Sequence, residues 1–155
     1  MTVKELLNSH KIIDTAINSK LEQLAELRSL ATKVSPTNLE SRGSGSVTDR
    51  VGRTVAKIVD LENKINDYID RLVSAKEAIA VVVSQTDNEV YTVLLEQRYI
   101  LHETWETIAE KMGYSLRHTT RLHNDAMECL QRLYPDELPA ELVDFDLKGI
   151  EVSRE

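Results

Sequence analysis

Arg117 and Arg121 stand four residues apart in LRHTTRLHNDAMECLQRL, the segment from Leu116 to Leu133. On a helix that spacing puts both guanidinium groups on one face. A guanidinium fork matches the O6 and N7 acceptors on the major-groove edge of guanine. Thr120 and Asn124 extend the same face, and Leu116 at its front offers an apolar side chain to a thymine methyl. His118 lies beside them and faces either DNA or solvent. Thr104 and Ser115 are first of all helix N-caps, and a hydroxyl at a helix N-terminus can also hold a phosphate. The chemistry these residues can do is to read base edges and grip a backbone, without making or breaking a bond. The plainer alternative is a solvated helix face.

The flanking residues predict what positions them. Thr104 caps a short helix with Trp105, Ile108, Ala109 and Met112 as its apolar residues. Gly113 takes the positive φ that ends it, Tyr114 bridges, and Ser115 caps the next helix. That helix buries Thr119, Leu122, Ala126, Met127 and Leu130, at spacings of three and four. Two helices joined this way, with an open polar face on the second, describe a helix-turn-helix, which seats its second helix in the major groove. Upstream, Asp87 is the expected cap of a helix from Asn88 to about Ile100, and residues 101–103 form a short connector. The three helices predict a core of Leu94, Leu95, Trp105, Ile108, Ala109, Leu122, Ala126 and Leu130. Trp105 is read as part of that core rather than as a base-stacking platform.

Other residue types that could do chemistry lack the required spacing. His118 and His123 are five apart and do not share a face, and there is no His-x-x-x-His pair or cysteine couple, so no metal and no cofactor is expected. Cys129 has no basic neighbour placed to activate it and reads as a half-buried structural thiol. The run from Arg42 to Ser46 has two glycines but no preceding strand and no P-loop lysine. Glu106 and Glu110 sit on an exposed helix face with no implied pocket. No catalytic residue is assigned, and the chain is not expected to be an enzyme.

The chain has 155 residues, five glycines, three prolines and one phenylalanine, which points away from a sandwich or barrel and towards an all-α protein. One long amphipathic helix is predicted from about Thr2 to Val34, and a second from about Val51 to Val83. Each has one apolar stripe to bury, so residues 1–83 are expected to form an antiparallel hairpin. Two hairpins can pair as a four-helix dimer. The link at 35–50 holds Pro36, Gly43, Gly45 and four serines and reads as a flexible loop. Arg42, Arg50 and Arg53 in it or at its edge make it a candidate DNA-contacting arm, the alternative being a plain solvated loop. Residues 87–133 form the trihelical unit, and 134–155 an acidic tail.

Net charge is −7. Twelve basic and eleven acidic side chains fall in 1–83, five and eight in 84–132, and two and seven in 133–155. The tail therefore carries most of the excess, and the helix-turn-helix segment itself is not basic. Weak non-specific affinity per protomer is expected, hence reliance on dimerisation or a partner. No run of about eighteen apolar residues suggests a membrane span. The start of the chain turns polar too soon for a signal peptide, and a lone cysteine suits a reducing cytoplasm.

The segment LLEQRYILHETWETIAEKMGYSLRHTTRLHNDAMECL resembles the fourth region of bacterial sigma factors, which reads the −35 promoter element. The resemblance rests on Thr104, Ile108, Ala109, Ser115, Arg117, Thr120, Arg121, Leu122, Ala126, Met127 and Leu130. It implies that Leu116, Arg117, Thr120 and Arg121 face bases and Thr104 a phosphate. Over 1–133, SGSVTDRVGRTVAKIVDLENKIN, LLEQRYI, TWETIAEKMGYS and RLHNDAM resemble phage and prophage transcriptional regulators of Gram-positive bacteria, of the ArpU and RinA type. That resemblance implies a homodimeric regulator of late genes bound to double-stranded DNA, with host RNA polymerase as a further partner. Thr119 departs from the aliphatic residue usual there, and its hydroxyl is expected to bond the carbonyl one turn back. Two alternatives stand beside this: a small terminase subunit bound to a packaging site, and a polymerase-binding or other protein-interaction factor that does not bind DNA.

Overall fold

The computed structural model describes residues 1–33 and 44–150, with the side chains of 44–48 excepted. Arg42 lies outside the described residues. The described chain is all-helical: α1 (Val3–Lys33), α2 (Ser44–Ser84), α3 (Glu89–Tyr99), α4 (Trp105–Met112) and α5 (Leu116–Leu133), then a short 3₁₀ turn at Ala140–Leu142. No described helix is long and apolar enough to cross a membrane.

Local chemistry explains the helix starts. Thr2 and Glu5 form a reciprocal capping box: the Glu5 carboxylate accepts from the Thr2 N–H at 2.7 Å, and the Glu5 N–H donates to the Thr2 hydroxyl at 3.3 Å. The N–H bond first, then the hydroxyl, holds the Glu5 carboxyl below its ordinary pKa. At α3 the cap is Asn88, whose side chain accepts from the Val90 N–H at 3.0 Å. The expected cap, Asp87, lies one residue too early, because the chain before it is occupied in closing α2. There the buried Thr86 hydroxyl donates to the Val83 carbonyl at 3.0 Å and meets Thr92 Oγ1 at 2.8 Å.

Helix α2 starts at Ser44 rather than at Val51, so Arg50 and Arg53 are exposed helical residues and not part of a loop. Gly45 and the serines lower helix propensity by at most ~1 kcal/mol each. The Asp49–Arg53 ion pair one turn apart favours helix here. It also engages Arg53 with its own helix.

The described chain divides into two compact units. One comprises Met1–Ile12 and Arg71–Lys148; the other comprises Ile13–Asp70 and the chain from Gly149. In the second, Leu24, Leu61 and Ile65 form a buried cluster with Leu27 and Ile58 packed against it, and Arg28 bonds Glu62 at 2.5 Å. Tyr68 is buried there and donates its hydroxyl to the Gly149 carbonyl at 3.1 Å. Of the predicted apolar stripes, Leu21, Leu30, Val55 and Ile69 are exposed in the single chain.

The first unit holds α3, α4 and α5 packed pairwise. Leu94, Leu95, Ile108, Ala109, Thr119, Ala126 and Leu130 are buried. Trp105, Leu122 and Met127, expected in the interior, are only half-buried. Leu6, Leu7, Ile79, Val82 and Val83 of this unit are fully buried as well. The acidic segment after α5 also belongs to it: Leu138 and Phe145 are buried, the Leu138 N–H donates to the Met1 carbonyl at 2.9 Å, and Arg71 donates to the Asp146 and Lys148 carbonyls.

Candidate nucleic-acid interface

The candidate interface is built from the turn outwards. Thr104 Oγ1 accepts from the Thr107 N–H at 3.2 Å and so caps α4. Gly113 has φ 71°, ψ 28°, the left-handed conformation that only glycine adopts freely. Its N–H donates to the Glu110 carbonyl at 3.2 Å, while the Tyr114 N–H reaches back to the Ala109 carbonyl at 3.0 Å. These are the paired closing bonds of a Schellman motif. One residue on, Ser115 Oγ accepts from the His118 N–H at 3.2 Å and caps α5. One helix ends and the next begins with all three intervening residues in defined bonds.

Thr119 is fully buried at the start of α5, and its hydroxyl donates to the Ser115 carbonyl at 3.0 Å, the partner one turn back expected for it. With 3.6 residues per turn, burying Thr119, Ala126 and Leu130 directs Arg117, Arg121 and Asn124 to the opposite side of the helix. Arg117, Thr120, Arg121 and Asn124 are all exposed, Leu116 is 47% exposed and His118 half-buried. Ser115, Leu116, Arg117, His118, Thr120, Arg121 and Asn124 line one open depression. Among the described residues, no hydrogen bond or ion pair engages the side chain of Arg117 or Arg121. Two other cations of this unit are committed: Lys111 pairs with Glu103 at 2.5 Å, and Arg98 donates to the Glu103 carbonyl at 2.9 Å with its guanidinium 4.6 Å from the Trp105 ring.

Thr104 is exposed but belongs to the start of α4, and it does not line the depression. Arg50 and Arg53 belong to the other unit. A second groove adjoins at Asn124, lined also by Lys4, Asn8, Tyr99, His123 and Glu128. Sequence reasoning missed Lys4 and Asn8, since nothing in α1 signals that its first turns share a unit with α5.

Behind the open face, Tyr99 of α3 and Nε2 of His123 lie 2.9 Å apart, and the His123 ring meets Trp105 edge-on at 4.7 Å. Burial, aided by the Arg98 cation, holds His123 below its ordinary pKa. Burial raises the Tyr99 phenol, with Arg98 opposing. His102 takes φ 59° in the connector and stacks on His10 at 4.4 Å. Among the described residues no three His, Cys, Asp or Glu groups gather as a metal site, and Cys129 is a half-buried free thiol. The arrangement can bind through its outward donors and apolar tip. No family model, curated protein or solved structure matches this chain.

Proposed function

We propose that the chain is a sequence-specific DNA-binding regulator of transcription, of the kind phages and prophages of Gram-positive bacteria use for late genes. The observation that carries this reading is the pair of unengaged guanidinium groups, Arg117 and Arg121, on the outward face of a helix whose start is fixed by the Gly113–Ser115 turn. On this reading α4 and α5 are a helix-turn-helix. α5 enters the major groove, Arg117 and Arg121 read guanine edges, and Thr120, Asn124 and Leu116 supply the remaining base contacts. Thr104 and Ser115 meet phosphates through the helix starts.

Two protomers bind together. Leu21 and Leu30 of α1 and Val51, Val55 and Val59 of α2 are exposed in the single chain, which favours burial against a second copy. Arg28 with Glu62 and Leu24 with Leu61 and Ile65 support antiparallel pairing of the two helices over that stretch. A two-fold dimer reads an inverted repeat.

The test is selection of bound fragments from the source genome by the purified protein at two salt concentrations. Enrichment of a fragment upstream of a late operon, weakening with salt, supports the regulator. Enrichment of a packaging site, together with a ring-sized mass, points instead to a small terminase subunit. No enrichment at either salt overturns DNA recognition. The net charge of −7 favours a second reading in that event, a polymerase-binding factor whose open face meets protein.

A further inference from the structure

Tyr114 lies between Gly113, the cap that ends α4, and Ser115, the cap that starts α5. Its N–H closes the end of α4 on Ala109, and the next residue, Ser115, caps α5. Its backbone is therefore held from both sides. Its ring is held too: the His118 ring packs against it at right angles, centroids 4.8 Å apart with an interplanar angle of 88°. The His118 main chain is tied to the same cap through its N–H bond to Ser115 Oγ. Tyr114 is nonetheless 38% exposed, and its hydroxyl has no hydrogen-bond partner among the described residues. Tyr114 does not itself line the depression that holds Arg117 and Arg121, but its ring partner His118 does, together with Leu116.

A surface aromatic braced at backbone and ring, with a hydroxyl that no protein group engages among the described residues, has less conformational freedom to lose when a partner arrives. That is the condition under which one hydrogen bond adds the most affinity. Tyrosine hydroxyls commonly donate to backbone phosphate oxygens, where they set the register of the reading helix without reading sequence. We propose that Tyr114 donates a hydrogen bond from its hydroxyl to a DNA phosphate at the entry of α5, and that His118 is the positioning residue that holds its ring. This rests on the reading of α5 as the DNA-reading helix.

The test compares the full-length protein with Tyr114→Phe, which keeps the ring and its packing on His118 and removes only the hydroxyl. Binding is measured by titration on the selected genomic fragment and on a scrambled duplex, each over a salt series. The expected result is roughly tenfold weaker binding on both duplexes, with an unchanged melting temperature. The slope of affinity against salt stays the same, because a neutral donor releases no counterion. Wild-type affinity in the Phe variant overturns the proposal, and so does a loss confined to the selected fragment, which means a base contact instead.

His118→Ala is then made in both backgrounds. It is expected to weaken binding when Tyr114 is present and to add little when Phe is there. Full additivity overturns the positioning role. Failure of the wild-type protein to bind either duplex sinks the DNA reading first, an outcome separable from loss in the Phe variant alone.

Discussion

Tyr99 and His123 join α3 to α5 through a single contact of 2.9 Å between phenol and imidazole, on the inner side of the helix that carries Arg121 and Asn124. Burial, with Arg98 alongside, keeps His123 neutral to a lower pH than its ordinary value of 6.5. Below that value the unfolded chain takes the proton before the folded one does. Stability therefore falls as pH drops from 6.5 towards the depressed folded value. Thermal melts across that range are expected to show the fall in wild type, and His123→Gln is expected to flatten it. Parallel curves for the two proteins would exclude His123 as the source. At the alkaline end the sign comes from Tyr99, whose phenol is raised above 10.0 by burial. The unfolded chain ionises first, so stability is lost as pH rises past 10.0, and Tyr99→Phe removes that loss.

The same substitution at two glycines is expected to have opposite signs. A Cβ meets nothing within 4 Å at Gly113 or at Gly52, so sterics with neighbours do not enter. Gly113 sits at φ 71°, where an L side chain strains against its own backbone. Gly113→Ala should cost about 1 kcal/mol in urea unfolding. Gly52 lies within α2 with ordinary helical backbone, and Gly52→Ala should gain about 0.5–1 kcal/mol through the unfolded state. A gain at both positions would mean that residue 113 does not hold the positive φ that ends α4.

Thr119→Val tests the fully buried hydroxyl at the start of α5. The hydroxyl donates to the Ser115 carbonyl, but that carbonyl also accepts from the Thr119 N–H at 2.9 Å. Removing the hydroxyl leaves no acceptor stranded, and valine keeps the branched shape. The expected change is between zero and a gain of about 1 kcal/mol, read from the denaturation midpoint. A loss of more than that would show that the hydroxyl does more than satisfy itself.

Arg117→Ala and Arg121→Ala should separate recognition from folding. Both side chains are exposed and without partners among the described residues, so stability should move by less than about 0.5 kcal/mol. Binding to the selected fragment should fall by about 1–3 kcal/mol for each, with relaxed preference at one base pair apiece. Undiminished specific binding in the double variant would remove the arginines from the reading face.

Much of the candidate interface is legible in the sequence because it is local. Thr104, Gly113 and Ser115 signal caps and a turn through chemistry that acts within four residues, and Thr119, Ala126 and Leu130 signal a buried side by spacing alone. Where two local signals compete, sequence reasoning slips by a residue or a turn. Asp87 and Asn88 are both good caps, and the buried Thr86 decides between them. The glycine and serines before Val51 read as loop, yet the helix runs through them from Ser44. Trp105 is half-buried, with the Arg98 guanidinium over its ring, a contact that spacing does not reveal. Contacts between distant segments leave no pattern at all. His10 on His102, and Leu138 on Met1, depend on how α1 and the acidic segment pack. Phe145 likewise looks like a lone aromatic in an acidic run until it is seen to be buried.

The Gly113–Ser115 turn satisfies the end of one helix and the start of the next entirely with its own backbone and one serine hydroxyl. None of those bonds involves the side chain of Leu116, Arg117, Thr120, Arg121 or Asn124. Four of those positions, Leu116, Arg117, Thr120 and Arg121, are therefore free to change while the scaffold beneath them stays the same, whereas Asn124 is tied to it through a side-chain hydrogen bond to His123. The cost of changing what this face prefers is decoupled from the cost of keeping it folded. A lineage, or an engineer, can change the chemistry this face presents at four exposed side chains without first repairing the protein.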